Sequence, residues 1–192
     1  MIYYLCNGDC MIVRDKDKFI KKLFIYRYFI FTKFSTDIDD TELSIIISAL
    51  NIKRRYKRIK YIVDSGCDYI DNYYKDCNLC KFKDNRCICH RKINKDFVNG
   101  CCRKCRYQSN EGCTTKNVAC KMFNCSYVDY GNKKRLKFND IKIFKVLNLY
   151  QRLILKSDYF ASVDEVTFDL YVGPVFLLLR FFYRFIIKRV IR

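Results

Sequence analysis

The 192-residue chain predicts a mainly α-helical fold with a short N-terminal β-hairpin and an irregular, metal-stapled cysteine-rich module, and three observations predict it. Apolar residues recur at helical spacing on either side of the middle of the chain. Near the N-terminus an Asn-Gly dipeptide separates two apolar-rich runs. Between residues 77 and 125, ten of the 13 cysteines and the single histidine crowd into a stretch with few long apolar runs. Three segments follow: residues 1–75, a hairpin and helices; residues 76–130, the cysteine-rich metal-binding module; and residues 131–192, helices that pack with the first segment as one domain.

Residues 2–6 and 9–13 flank Asn7-Gly8, and Asn-Gly readily takes the two positive φ angles of a type I′ turn. The first element is therefore a hairpin. Asp17 to Phe34 is basic and aromatic without a clean period, and is assigned to helix. Asp39 to Ile62 reads as a further helix: Asp39 and Glu42 suit a capping box, and Leu43, Ile46, Ile47 and Leu50 make one core face. Tyr56, Ile59 and Val63 continue that stripe after a phase shift near Asn51. Beyond Gly131, Asn139 suits the N-cap of a helix carrying Ile143, Val146, Leu147, Tyr150, Leu153 and Ile154 on one face. Ser162 and Glu165 form a second capping box, and Gly173-Pro174 breaks or restarts that helix. No internal repeat is evident beyond the cysteine pairs, and no low-complexity linker.

Composition narrows the function. With 51% hydrophobic and 17% aromatic residues the chain carries enough apolar surface to offset its ordering entropy, and it folds. One histidine excludes a three-histidine zinc site. The phosphate-binding glycine motifs, the GxSxG elbow and HExxH are absent. Met1 to Val13 lacks a basic n-region, an unbroken apolar core and a cleavage site. The most apolar stretches are interrupted at Arg27 and Arg180, short of the roughly 18 residues a bilayer span requires. An odd number of cysteines without an export signal points to reduced or metal-bound thiols, and so to the cytoplasm.

The array runs Cys77-x2-Cys80-x6-Cys87-x-Cys89-His90, then Cys101-Cys102-x2-Cys105-x7-Cys113-x6-Cys120-x4-Cys125. A two-residue spacing lets both sulfurs of one turn face one ion, as in tetrahedral zinc and iron–sulfur sites. Density is the stronger signal. A module too polar to make its own core needs a collective reason for ten thiols, and a structural metal contributes roughly 10–16 kcal/mol of apparent folding energy. Residues 77–125 hold eleven Lys or Arg against three Asp or Glu, and nearby cations favour the ligating thiolate. Scattered inert thiols and a disulfide-stapled module are the competing explanations.

Gly100-Cys101-Cys102-x2-Cys105-Arg106-Tyr107, then Gly112-Cys113, then Ala119-Cys120-Lys121-Met122-Phe123-Asn124-Cys125, resembles the bacterial YkgJ-type cysteine-cluster family, described as zinc- or iron-chelating. The resemblance implies a chelating site and no particular reaction. It covers about 25 residues directly. It departs where the family's proline falls at Asn117 or Val118 here and where Lys121 replaces an arginine. Sulfur ligation suits Zn and an Fe–S cluster alike, and neither ferredoxin-type spacing is intact. The candidate ligands are Cys77, Cys80, Cys87, Cys89, His90, Cys101, Cys102, Cys105, Cys113, Cys120 and Cys125. They exceed the eight needed for two four-ligand sites, so spare thiols also permit an Fe–S or thiol redox enzyme. Cys6, Cys10 and Cys67 read as ordinary buried thiols.

The formal charge is +18 with neutral thiols; two Zn(Cys)4 sites would bring it to about +14. The remaining excess is concentrated in two places. Lys53, Arg54, Arg55, Tyr56, Lys57, Arg58 and Lys60 suit a nucleic-acid surface, where cations contact phosphates and Tyr56 stacks on a base, or else the solvated side of a helix. Residues 172–192 contain no acid and space Arg180, Arg184, Lys188 and Arg192 four apart on an apolar helix. That tail suits peripheral attachment to an anionic membrane surface, or a central core helix with basic edges.

Overall fold

A computed structural model of the protein describes residues 10–75, 115–123, 130–159, 161–173, 178–179 and 182, and the backbone of 5–6, 82–83, 86–87, 108–109 and 112–113. Helix dominates. β1 (Leu5–Cys6) and β2 (Cys10–Val13) pair antiparallel, as the N-terminal hairpin requires. Cys6 pairs with Cys10, leaving three residues between them where a two-residue Asn7-Gly8 turn would leave two. The turn itself lies outside the described residues.

β2 also pairs with β3 (Lys33–Thr36), in parallel, Cys10 opposite Lys33 and Val13 opposite Thr36. Parallel neighbours need a long crossover, and here it is built by two short helices, α1 (Lys16–Lys21) and α2 (Leu23–Tyr26). The helix expected over Asp17–Phe34 is thus corrected: it ends at Tyr26, and Phe34 becomes a buried strand residue, 1% exposed. Thr36 Oγ1 donates to the Val13 carbonyl at 2.9 Å, adding a side-chain bond to the ladder.

α3 (Thr41–Asn51) is capped by Asp40, not Asp39: Asp40 Oδ1 accepts from the Leu43 amide at 2.8 Å. Glu42 is released from capping and instead pairs with Lys16 and accepts from the Lys142 amide. The Leu43, Ile46, Ile47, Leu50 stripe is buried as expected. The single helix expected over 39–62 is two. Asn51 exchanges both bonds of its side-chain amide with the backbone of Phe34, at 2.8 Å each, and the chain extends through Ile52 before α4 (Arg55–Tyr74) begins. The phase shift near Asn51 is the sequence trace of this break.

α4 is the central helix. Ile59, Ile62, Val63, Gly66, Cys67, Ile70 and Tyr74 are buried along it. The Phe144 ring occupies the space a Cβ on Gly66 would fill. Phe144 belongs to a run of 3-10 turns, Phe138–Asp140 and Lys142–Val146. The helix expected from Asn139 is therefore corrected as well. Regular helix starts only at α6 (Leu149–Ser157), where Asn148 and Gln151 cap one another's backbone. α7 (Val163–Val172) begins at the Ser162–Glu165 capping box the sequence predicts, and ends at Gly173, whose φ of 91° suits only glycine without strain. Buried Gln151 donates to the Leu170 carbonyl at 3.0 Å, locking α6 onto α7. One apolar cluster runs from Met11 to Leu170. Of the C-terminal tail, Leu178, Leu179 and Phe182 are described, and all three are exposed, so at these positions the tail is not a core helix.

Candidate functional site

Two hairpins rise from the cysteine-rich stretch. β4 (Phe82–Lys83) pairs with β5 (Arg86–Cys87), and β6 (Gln108–Ser109) with β7 (Gly112–Cys113). Their registers match: Phe82 faces Cys87 and Lys83 faces Arg86; Gln108 faces Cys113 and Ser109 faces Gly112. In each, two residues connect the strands and a cysteine closes the second strand. The two stretches share a cysteine repeat: Cys77-x2-Cys80-Lys81-Phe82 and then Cys87 returns as Cys102-x2-Cys105-Arg106-Tyr107 and then Cys113, with the closing cysteines in matching hairpin register, where Phe82 corresponds to Gln108. The second copy is one residue longer, so cysteine spacings alone conceal the likeness.

Cys77, Cys80, Cys89, His90, Cys101, Cys102, Cys105 and Cys125 lie outside the described residues, and Cys87 and Cys113 are described as backbone only. Among the described residues no group of three or more His, Cys, Asp or Glu converges on a metal position. Cys120 is the one candidate ligand whose side chain is described. It sits half-buried in the short helix α5 (Val118–Met122).

That helix is fixed to the core. Asn117, 1% exposed, accepts from the Cys120 amide at 2.9 Å and donates to the carbonyls of Asp158 and Ala161 at 2.7 and 3.0 Å. Val118 and Ala119 are buried. Lys121 pairs with Asp71, and Lys116 with Asp68 at 2.7 Å, both acids on α4. The Asp68 contact holds the Lys116 ammonium above its ordinary pKa. Val118 opens the helix, and the Asn117 cap sets its start.

Cys67 is a different kind of thiol. It is fully buried on α4, and burial pushes its pKa up to about 12, so it stays protonated. Cys10 Sγ lies 3.6 Å from Ser35 Oγ across the parallel pair.

The basic segment divides. Lys53, Arg54, Arg55, Tyr56 and Lys57 are exposed. Arg58 turns back, its Nε donating to the Ile52 carbonyl at 2.8 Å and a terminal nitrogen to the Arg27 carbonyl at 3.3 Å. It closes the end of α3. Lys60 pairs with Asp164 at 2.6 Å. Arg55 lies over the Tyr171 ring, and Tyr56 meets that ring edge-on.

No protein-family profile, curated protein or solved structure matches the chain, so the resemblance rests on the quoted residues alone. Among the described residues no helix is long and apolar enough to cross a membrane.

Proposed function

We propose that this is a cytoplasmic metal-binding protein that chelates Zn or an Fe–S cluster through two hairpin-based units. The observation that supports it best is the internal repeat: a Cys-x2-Cys pair, a basic and an aromatic residue, and a cysteine closing a two-stranded hairpin, twice over. Each unit supplies three thiolates, Cys77, Cys80 and Cys87 in one and Cys102, Cys105 and Cys113 in the other. Cys89 or His90 completes the first. Cys101, Cys120 or Cys125 completes the second, and Cys120 is held on the core by Asn117. Four thiolates on one divalent ion leave about two negative charges, which the local excess of lysine and arginine offsets.

Purification without oxygen, followed by elemental analysis and an absorption spectrum, tests the reading. Colourless protein with zinc selects the zinc form, and a brown protein with thiolate-to-iron absorption selects the cluster. Less than one metal per chain refutes both.

The exposed cations beside the Arg55–Tyr56–Tyr171 cluster favour one second reading, a nucleic-acid-binding protein with structural zinc. It predicts affinity that falls steeply with salt. Replacing Lys53, Arg54 and Lys57 by alanine without loss of binding would exclude it.

A further inference from the structure

Across α2 and its connection to β3 the chain presents an unusual surface. Phe24 (57%), Ile25 (39%), Tyr28 (67%), Phe29 (39%), Ile30 (53%) and Phe31 (83%) are all exposed. Six large apolar side chains in eight residues amount to a patch, where isolated ones would need no explanation. The loop is not loosely held. Tyr26, buried beneath it, stacks on Phe19 at 5.1 Å and meets Phe29 and Phe34 edge-on at 5.7 and 5.8 Å. The amides of Tyr28, Phe29, Ile30 and Thr32 donate within the loop, to carbonyls of Ile25, Tyr26, Tyr28 and Phe29. The aromatic side chains are thus held outward on a backbone that satisfies much of its own polarity.

Along the chain the patch is flanked by cations, of which Lys18 is paired with Asp15. From Lys18 to Thr36 there is no acidic residue, while Lys18, Lys21, Lys22, Arg27 and Lys33 flank the apolar positions. The bond from Arg58 to the Arg27 carbonyl brings the start of α4, with exposed Lys53, Arg54 and Lys57, beside the same loop.

We propose that residues 24–31 are a docking loop for an anionic lipid surface, whose aromatic and aliphatic side chains enter the headgroup and acyl boundary while the surrounding cations meet acidic headgroups. Three features favour this occupant. Aromatic residues partition to the bilayer interface. Internally bonded amides reduce the cost of leaving water. The cationic rim complements anionic lipid and opposes an identical copy of itself. A nucleic-acid strand would use the aromatic faces but not Ile25 and Ile30. This loop is distinct from the basic C-terminal tail, and the proposal is independent of the metal reading.

The chain contains no tryptophan, so Phe31→Trp in the full chain places a single, selectively excited tryptophan at the most exposed aromatic position of the loop. With vesicles of phosphatidylcholine and phosphatidylserine, its emission should shift to the blue and be quenched by brominated acyl chains, and salt should reverse both. The Ile30→Ser/Phe31→Ser variant should bind such vesicles about tenfold or more weakly. Replacing Lys21 and Lys22 by alanine should weaken binding about fivefold per cation. Unshifted emission would overturn the proposal, including the case where the chain sediments with vesicles through its tail. A blue shift that grows with protein concentration without lipid, or that follows single-stranded RNA and not vesicles, would overturn it equally.

Discussion

Asn117 connects the cysteine-rich stretch to the core through one side chain. Its oxygen caps α5, and its nitrogen serves two carbonyls in the connection between α6 and α7. Asn117→Ala removes the cap and leaves those carbonyls short of a donor, so the folded state should lose about 2–4 kcal/mol in urea titration. Gly66 carries a different constraint. An alanine there gains helix propensity but overlaps the Phe144 ring. Phe144 is 1% exposed and stacked on Phe138 at 4.7 Å, so it has nowhere to retreat. Gly66→Ala should destabilise by about 1–3 kcal/mol, and a denaturation midpoint equal to or above that of the native chain would contradict the packing described.

The start of α3 makes a pH prediction at the scale of elements. The Lys16 ammonium, and then the Leu43 amide, hold the Asp40 carboxyl below its ordinary range. A lowered carboxyl pKa stabilises the fold above the unfolded value and loses that contribution as pH falls through the folded one. Stability measured by urea between about pH 6 and pH 3 should therefore fall less steeply in Asp40→Asn than in the native chain. Parallel curves would contradict this role for Asp40.

How much of each element was legible follows from how local its signal is. Ser162 and Glu165 open α7 where the sequence places them because a capping box is a contact within four residues. Asp39 and Asp40 are adjacent and chemically alike, so only the fold selects the second as the cap. Asn139 and Asn148 both suit a helix start, but only Asn148 has a glutamine three residues on to complete the box. β3 was missed because its partner, β2, lies across a crossover and leaves no periodic trace. The cysteine repeat was hidden by a one-residue difference in spacing and became visible only through the matching hairpin registers.

At the scale of the whole molecule, the described residues outside the cysteine-rich stretch build one continuous apolar cluster through α3, α4, the 3-10 turns, α6 and α7, which Val118 joins and Met122 packs against. Stability and chelation should therefore separate. Removing metal with a strong chelator should leave most of the helical circular dichroism in place and open residues 76–114 to proteolysis. Loss of the helical signal together with the metal would mean that the core depends on the module. The central claim, two hairpin-based metal units, is tested most directly by native mass spectrometry of anaerobically purified full-length protein beside its Cys80→Ser/Cys87→Ser and Cys105→Ser/Cys113→Ser variants. The account predicts two metal centres in the native chain and one in each variant; a native chain that carries none, or variants that both keep the full complement, would contradict it.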